Sequence, residues 1–556
     1  MSAEQEDFKI SGRIVDVVAG EIFPGTVEVV QGRIADIQRE TSVGSVGYQG
    51  PLADRFIMPG FVDAHVHVES SMLTPAQFAR LAVRQGTVAA VSDPHEIANV
   101  LGVPGVEFML RDGAAAPFTF AFGAPSCVPA TPFESSGAYL GPEEVDALLA
   151  RDDIYYLSEM MNFPGVIHGD PEVAAKIAAA KRHGKPIDGH APGVRGEELV
   201  AYVNAGISTD HESLSYAEAE EKIRLGMKIL IRDGSAAHEF DLLYPLMQSY
   251  PEQCMLCSDD KHPQHLVKGH INVLAARAVA AGIDPLTVIR CACLNPVRHY
   301  GLDVGLLQPG DPADFIVVAD LEDFDAIGTY VKGRLVSADG TPLFAADCAE
   351  RPNRFAAREQ RAEVFAVTAR PGRINVIEAL DGQLVTRKLV VTPTVRNGQV
   401  VSDTDRDILK IVVLNRYQEA PPAVAFIRNV GLQRGAMASS VAHDSHNIVA
   451  VGTSDEELAA AVNEVIRNRG GLAVAVQENV RSLPLPIAGL MSPLDGLDVA
   501  EIYDALDRAA KDLGSRLSAP FMTLSFMALL VIPSLKISDV GLFNAEAFKG
   551  VNLFVD

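Results

Sequence analysis

Tryptophan, cysteine and positive charge are all scarce in this sequence. It has no tryptophan, and six cysteines are too few for a disulfide framework in a chain of 556 residues. Lysine and arginine number 47 against 72 aspartates and glutamates, which gives a formal net charge of −25. A field of this sign repels nucleic-acid phosphates and anionic lipid. We therefore expect no nucleic acid and no membrane as partners, and a small neutral or weakly basic ligand is easier to admit.

Long apolar segments are also missing. The N-terminus contains Glu4, Glu6 and Asp7 and lacks the apolar core of an export signal. The most apolar late stretch, residues 521–532, is interrupted by Thr523 and is shorter than the roughly 20 residues that span a bilayer. No Gly-x-x-x-x-Gly-Lys-Ser/Thr loop for nucleotide phosphates is found. Together with the few cysteines, these absences predict a cytoplasmic protein.

Strand-like and helix-like segments alternate through the middle of the chain. Several of the helix-like segments begin with proline and end at glycine. Eight strands alternating with helices over about 240 residues predict an α/β fold of the (β/α)8 barrel type. The strand-like runs are 56–68, 87–92, 118–124, 154–158, 186–189, 207–209, 228–231 and 254–257, and the helix-like segments are 75–85, 142–150, 171–183, 196–205 and 216–225.

Short segments rich in β-branched residues flank this barrel region on both sides. They occupy residues 14–37 and return at residues 313–335, which predicts one small β-sandwich built from both flanks. The alternative is two unrelated β-patches. A mixed α/β region follows. The predicted domains are residues 1–57 and 301–345 for the two parts of the sandwich, 58–300 for the catalytic barrel, and 346–556 for an additional C-terminal α/β domain.

Polar side chains follow the apolar runs. In a (β/α)8 barrel the C-terminal ends of all strands form one face, and active sites lie there. Residues far apart in the sequence would therefore meet in one pocket. These residues are His65 and His67, Asp93, His95 and Glu96, Glu159, His190, Asp210 and His211, Asp233, and Asp259 and Asp260.

His65 and His67 are two residues apart on a predicted strand, so both side chains leave the same face. Such a pair offers two nitrogens to one ion, although an isolated pair could equally be structural. Because His190, His211 and Asp259 also follow strands, we predict that these residues bind metal. Asp63, on the same face as the pair, is expected to orient the ligands.

Carboxylates at the strand ends provide the remaining chemistry. Glu159 can bridge two cations, and nitrogen and oxygen ligands without cysteine suit Mn, Fe or Zn. Asp259 can take a proton from an activated water and return it to the leaving group, with Asp260 as the alternative. Asp93 and Glu96 flank His95 and could hydrogen-bond or protonate a substrate ring; the alternatives are a turn and a helix-start carboxylate.

The cysteine pairs Cys254-x-x-Cys257 and Cys291-x-Cys293 could in principle hold zinc. The first pair lies on a predicted buried strand and the second in an apolar helix-like run. We therefore favour buried free thiols.

Residues 59–67, PGFVDAHVH, resemble the amidohydrolase superfamily, whose metal centre lies in a (β/α)8 barrel beside a small β-sandwich. Further segments are similar to bacterial-type adenine deaminases, and this resemblance covers essentially the whole chain. One stretch, residues 414–418, is less rich in histidine than expected. The similar segments are VESSM at 68–72, SDPHE at 92–96, MNFPGV at 161–166, DGHAPG at 188–193, CSDDKHP at 257–263 and ASSVAHDSHN at 438–447.

The resemblance implies two divalent metal ions per chain, with Mn or Fe preferred and Zn as the alternative, and hydrolysis of adenine to hypoxanthine and ammonia by a hydroxide held between them. Asp259 would accept the hydroxide proton, while Glu96 or Asp93 would act at a ring nitrogen beside His95. The alternatives are another amidohydrolase acting on a modified purine or cyclic amide, or a non-catalytic scaffold. We also expect a homodimer. We interpret His443 and His446 as a structural pair within a turn, and the alternative is that they approach the same pocket from the C-terminal domain. The implied metal ligands are His65, His67, His190, His211 and Asp259, with Glu159 as the bridging carboxylate.

Overall fold

A computed structural model of the chain describes residues 7–40, 55–235 and 238–555. Part of the interpretation of the N-terminus rests on Glu4 and Glu6, which lie outside these ranges. The chain begins with an antiparallel hairpin and its neighbours in one sheet, in which the fourth strand runs parallel to the first. These strands are β1 (Phe8–Asp16), β2 (Glu21–Val30), β3 (Arg33–Arg39) and β4 (Phe56–Pro59).

Eight parallel strands then form the predicted barrel, in two hydrogen-bonded arcs of five and three strands. The first and last strands are joined by a parallel bridge between Val66 and Asp259, where the Asp259 amide donates to the His65 carbonyl at 2.9 Å. At the other junction the Ser208 amide donates to the Ile187 carbonyl at 2.9 Å. The strands are β5 (Phe61–Val66), β6 (Thr87–Ser92), β7 (Thr119–Ala124), β8 (Ile154–Met160), β9 (Ile187–Gly189), β10 (Thr209–Asp210), β11 (Lys228–Arg232) and β12 (Cys254–Cys257).

The predicted run 56–68 is not one strand, because it divides at Gly60. Strand β4 pairs with β1 in the first sheet, whereas β5 starts the barrel. A Cβ atom at Gly60 would lie 2.3 Å from Cγ1 of Val88 on β6, so only glycine permits this approach. A continuous apolar sequence therefore passes between two sheets.

Helices follow most barrel strands, as predicted, and begin at the expected signals. Three of them start with a proline, at Pro75, Pro142 and Pro171. Asp170 and Ser215 accept backbone N–H bonds as N-caps. Among the described residues, no helix combines the length and apolar character needed to cross a membrane. The helices are α1 (Pro75–Ala82), α2 (His95–Leu101), α3 (Val103–Ala114), α4 (Pro142–Leu149), α5 (Phe163–His168), α6 (Pro171–Arg182), α7 (Gly196–Asn204), α8 (Tyr216–Arg224), α9 (Phe240–Leu243), α10 (Leu246–Ser249), α11 (Pro263–Lys268), α12 (Ile271–Ala280), α13 (Pro285–Ile289) and α14 (Asn295–Tyr300).

The strands after the barrel return to the first sheet. The first of them pairs antiparallel with β4, so both flanks of the barrel build one eight-stranded sheet, as predicted. Ile14, Val27 and Phe315 pack in its buried core. The returning strands are β13 (Phe315–Val318), β14 (Ala326–Val331), β15 (Arg334–Ala338) and β16 (Thr341–Pro342).

The C-terminal region is mostly β, with a nine-stranded sheet at its centre. Helix α15 (Asp455–Arg467) buries Leu458, Val462 and Val465 against this sheet. Helix α16 (Gly496–Asp512) contacts α1 and α11 of the barrel. The elements are β17 (Val367–Thr368), β18 (Arg373–Ala379), β19 (Thr386–Val391), β20 (Val395–Arg396), β21 (Gln399–Val400), β22 (Ile408–Leu414), β23 (Ala423–Arg428), β24 (Ala436–Ser439), β25 (Ile448–Gly452), α15 (Asp455–Arg467), β26 (Gly471–Val476), β27 (Asn479–Pro484), α16 (Gly496–Asp512), α17 (Pro520–Phe526), β28 (Leu535–Ser538), β29 (Gly541–Asn544), β30 (Lys549–Gly550) and β31 (Phe554–Val555).

The four cysteines considered as a zinc site are buried free thiols. Cys254 and Cys257 lie on β12, and burial raises the pKa of both thiols well above the usual value. The Cys291 and Cys293 thiols contact the backbone carbonyls of Pro251 and Pro59. They pack as small apolar side chains.

Candidate active site and metal centre

A cavity lies at the C-terminal ends of the barrel strands. Most of the sequence-predicted site residues line it, while the C-terminal region supplies the opposite wall. His65 and Asp93 lie behind the lining residues and are fully buried. The barrel contributes His67, His95, Glu96, Glu159, His190, His211, Glu212, Arg232, Asp259 and Asp260, and the C-terminal region contributes Leu384, His443, Asp444, Phe526, Leu529 and Ile532.

His65 and His67 direct their Nε2 atoms toward one another at 3.2 Å. His65 lies on β5 and His67 directly follows the strand, and this two-residue spacing places both rings on the inner face. Nδ1 of His67 lies 3.2 Å from the Asp93 carbonyl, and this contact orients the ring with Nε2 toward the cavity. Burial alone would lower the pKa of His67, but contacts with Asp259 and Glu159 raise it well above its usual value.

Glu159, at the end of β8, lies between two groups of imidazoles. Its Oε1 is 3.2 Å from His67 Nε2 and 3.5 Å from His95 Nδ1. Its Oε2 is 2.7 Å from His190 Nδ1 and 3.1 Å from His211 Nε2. Burial alone would raise the pKa of Glu159, but His190 and His211 hold it well below its usual value. Each carboxylate oxygen therefore faces a separate set of nitrogen donors.

Asp259 presents one oxygen to the imidazoles and the other to a guanidinium. Oδ1 lies 3.4 Å from His67 Nε2 and 3.7 Å from His65 Nε2, while Oδ2 accepts a hydrogen bond from Arg232. Its backbone has φ +52°, a left-handed conformation that is strained for aspartate. Burial opposes ionisation, yet Arg232 holds the pKa of Asp259 well below its usual value. Asp259 is thus an ionised carboxylate aimed at the centre.

These donors satisfy the requirements of a divalent cation site. Within each of three overlapping groups, the possible ligand atoms all lie within 4.8 Å of one another. Imidazole nitrogens and carboxylate oxygens are ligands that suit Mn, Fe and Zn ions. The groups are His65 with His67 and Asp259, His65 with Glu159 and His211, and His67 with Asp93, His95 and Glu159.

Asp93, His95 and Glu96 lie together where β6 enters α2. Asp93 accepts from the His95 backbone N–H at 3.0 Å and lies 3.0 Å from its Nδ1, so it fixes that ring. Glu96 accepts instead from His443 at 2.6 Å and from His446. Burial opposes ionisation of Glu96, but these two imidazoles hold its pKa well below the usual value. Of the two carboxylates, Glu96 lines the cavity and Asp93 does not.

The sequence interpretation missed Glu212 and Arg232. Glu212 follows His211, and its carboxylate groups with His190 and His211 as a further set of possible ligands. Arg232 ends β11 and donates to Glu212, to Glu239 at 2.8 Å and to Asp259. An arginine at the end of a buried strand was the available signal.

Asp233, which the sequence singled out instead of Arg232, lies outside the cavity. It pairs with Arg277 at 2.6 Å and with His238 at 3.1 Å. Neighbours on a strand leave opposite faces, so only one of the two could face the centre.

Other strand-end residues fix the backbone around the site. Asp63 accepts a hydrogen bond from the Ser258 amide at 2.9 Å and lies 2.8 Å from His270 Nε2, so it connects the last strand to the first. We expected Asp63 to orient the His65 and His67 rings, but none of its described hydrogen bonds reaches either ring. Asp210 pairs with the buried amine of Lys222 at 2.8 Å, which leaves the adjacent His211 to face the cavity.

Asp260 accepts from Ser70 Oγ at 2.5 Å and lines the cavity, but it is Asp259 that faces the imidazoles.

The histidine-poor stretch 414–418 does not line this cavity. It supports the neighbouring segment that lines the cavity, because the Tyr417 hydroxyl donates to the Ser445 carbonyl at 2.5 Å.

His443 and His446, interpreted as a structural pair, both contact Glu96 and so join the C-terminal region to the site. A turn sequence alone has no information about a partner almost 350 residues away.

Comparison with known proteins shows the family of the chain. Residues 56–336 match the Amidohydrolase family, and residues 383–549 match the Adenine deaminase C-terminal domain. A solved β-aspartyl dipeptidase from Fervidobacterium islandicum AW-1 covers 62% of this chain and 99% of its own at 14% identity and a TM-score of 0.46. An adenine deaminase of Salinibacter ruber is 56% identical over 99% of both chains, and one of Methanosarcina mazei is 51% identical over 99% of this chain and 100% of its own. The chain belongs to the adenine deaminase family of amidohydrolases.

Proposed function

We propose that the protein is a metal-dependent aminohydrolase that converts adenine and water to hypoxanthine and ammonia. One observation supports this most directly: buried imidazoles and carboxylates from separate barrel strands converge on a cavity that the C-terminal region closes. Curated relatives of the same length bear the name adenine deaminase. The substrate is a small neutral purine, which suits a cavity whose far wall includes the apolar side chains of Leu384, Phe526 and Leu529.

Two divalent ions, with Mn or Fe preferred and Zn as the alternative, would be held by these donor groups. When bound, they supply Lewis-acid chemistry that lowers the pKa of water, so that water becomes a nucleophile at neutral pH. In our proposal the ligands are His65, His67, His190, His211 and Asp259, and Glu159 contributes one oxygen to each side.

The proton transfers are assigned to two carboxylates. Asp259 accepts a proton from the attacking water through Oδ1, while Arg232 holds its Oδ2. Glu96, held between His443 and His446, positions a proton at a ring nitrogen, so that carbon C6 becomes tetrahedral without a full negative charge on the purine. The His443 imidazole supplies this proton through Glu96, and the proton of the added hydroxyl group replaces it when carbon C6 becomes a carbonyl. Asp259 then gives its proton to the departing amine. Asp93 acts indirectly, by orienting His95 against the substrate.

The decisive assay follows both product and metal. We expect protein purified from manganese-supplemented culture to contain close to two ions per chain and to release one ammonia and one hypoxanthine per adenine. A chelator should remove most of the activity, and added Mn²⁺ or Fe²⁺ should restore it more fully than Zn²⁺. Chromatography of the bases with an ammonia assay measures the reaction, and elemental analysis measures the metal.

A panel of modified purines and cyclic amides is the control for specificity. Faster turnover of one of these would favour another amidohydrolase activity over adenine deamination. Less than one ion per chain after metal supplementation, with no turnover of any compound, would favour the non-catalytic scaffold.

We further propose a homodimer, on the resemblance to the family. Val540 and Phe548 are exposed apolar side chains near β29 and are candidates for the contact. Light scattering after gel filtration should give twice the chain mass of 59.4 kDa. A single-chain mass at micromolar concentration would reject the dimer.

A cytoplasmic location is proposed because the six cysteines are all free thiols. Alkylation during cell lysis should modify all six once the protein is unfolded, and protected pairs would contradict the proposal.

A further inference from the structure

Two polar atoms on the C-terminal wall of the cavity are buried without a hydrogen-bond partner among the described residues. They are Oδ2 of Asp444 and Nε2 of His443, and both residues line the cavity. A buried polar atom that lacks a partner costs roughly 1–3 kcal/mol, so such atoms are normally paired. An unpaired acceptor and a neighbouring imidazole in the wall of a binding cavity therefore indicate that a ligand supplies the missing contacts.

The segment that holds these atoms is fixed on several sides. His443 Nδ1 lies 2.6 Å from Glu96 Oε1, and its ring stacks on Phe526 with centroids 4.6 Å apart. The Ser445 carbonyl accepts from Tyr417, and Asn447 donates to the Ser135 carbonyl at 2.8 Å. The Asp444 carboxylate is thus presented by a preorganised backbone, as a recognition group requires.

Asp444 lies near the candidate centre and forms a further possible ligand group with His95 and Glu96, but it is not among the residues assigned to the centre. Its Oδ2 is 4.0 Å from His95 Nε2, and the opposite nitrogen of that ring is 3.5 Å from Glu159 Oε1. One imidazole ring therefore separates Asp444 from the carboxylate beside which the reacting carbon is proposed to lie. A purine held with C6 at the centre would meet Asp444 with a different edge.

We propose that Asp444 is a specificity-determining residue whose carboxylate accepts the N–H of the imidazole half of the purine, so that the site selects the free base over purines substituted on that nitrogen. The inference rests on the proposed function. Neutral 6-aminopurine has one ring N–H, and it lies in the five-membered ring, away from the reacting C6. A site built to pair a substrate N–H strongly rejects an analogue that lacks it, because the buried acceptor is then left unpaired.

Binding of the reaction product tests this without turnover. On manganese-loaded enzyme, calorimetry should show hypoxanthine binding at least about 100-fold more tightly than 9-methylhypoxanthine. Asp444→Leu, of similar size but without an acceptor, should lose that ratio through weaker hypoxanthine binding, with the methyl analogue unaffected. Asp444→Asn keeps an acceptor oxygen and should retain an intermediate ratio. Steady-state assays should show the matching decrease in kcat/KM for adenine.

Asp539→Leu is the matched control, because this aspartate of the same region lies outside the cavity and its two oxygens accept from Ser135 and Asn415. It should keep the wild-type ratio. An unchanged ratio in Asp444→Leu would overturn the inference. So would loss of one metal equivalent with unchanged selectivity, since Asp444 would then be holding a cation with His95 and Glu96. Failure of the proposed function is distinguishable, because wild-type enzyme would then release no ammonia from adenine whatever the binding ratio.

Discussion

Asp259→Asn should lower kcat for adenine by about 10³-fold, within the range that general acid–base groups contribute. The amide has the size of the carboxylate but cannot take the proton from water or return it to the departing amine. Its carbonyl oxygen can still face His65 and His67. We therefore expect a folded protein whose circular dichroism is unchanged, and steady-state ammonia release measures the loss.

Asp233→Asn is the matched control for this variant. Asp233 also follows a barrel strand, but it pairs with Arg277 and His238 outside the cavity. It should keep kcat within a factor of about two, because neither it nor its two partners line the cavity. Metal analysis of both variants shows whether a decrease in kcat comes from impaired proton transfer or from a lower metal content. Activity of Asp259→Asn close to that of the wild type, at full metal content, would reject its proposed role.

Arg232→Met should have the largest effect on stability, lowering the free energy of unfolding by about 3–5 kcal/mol. The guanidinium is 2% exposed and donates to three carboxylates, those of Glu212, Glu239 and Asp259. Removing it leaves buried negative charges unpaired, and Asp259 loses the partner that keeps it ionised and oriented. Calorimetric scans and urea unfolding monitor the stability, and kcat should also decrease.

Arg277→Met provides the comparison. This arginine also binds two carboxylates, those of Asp233 and Asp241, but its side chain is 34% exposed. Solvent screens such pairs, so we expect a change within about 1 kcal/mol. Equal unfolding midpoints for Arg232→Met and Arg277→Met would contradict the importance assigned to the buried cluster.

The sequence predicted the barrel well because its signals are local. Strands such as Thr87–Ser92 and Cys254–Cys257 agree with the predicted bounds, and α6 begins at Pro171 after its aspartate cap as expected. The division at Gly60 could not be predicted in this way, since the steric reason is a side chain on a neighbouring strand. Periodicity reports which residues are buried but does not report which sheet buries them.

The candidate site shows the same limit. His65 and His67 were identified because a two-residue spacing on a strand directs both rings to one face, a property of the local backbone. The choice of Arg232 over Asp233 depended on strand register, which a short apolar run does not define.

By itself, then, the sequence determined the alternation of strands and helices, the residues at the strand ends and the family that they resemble. Only the tertiary structure decided that Glu96 is held by His443 and His446, and that Asp444 faces the cavity with an oxygen that has no partner among the described residues. These contacts join parts of the chain almost 350 residues apart. Local backbone preferences act over a few residues, whereas the packing of one domain on another fixes which polar atoms meet.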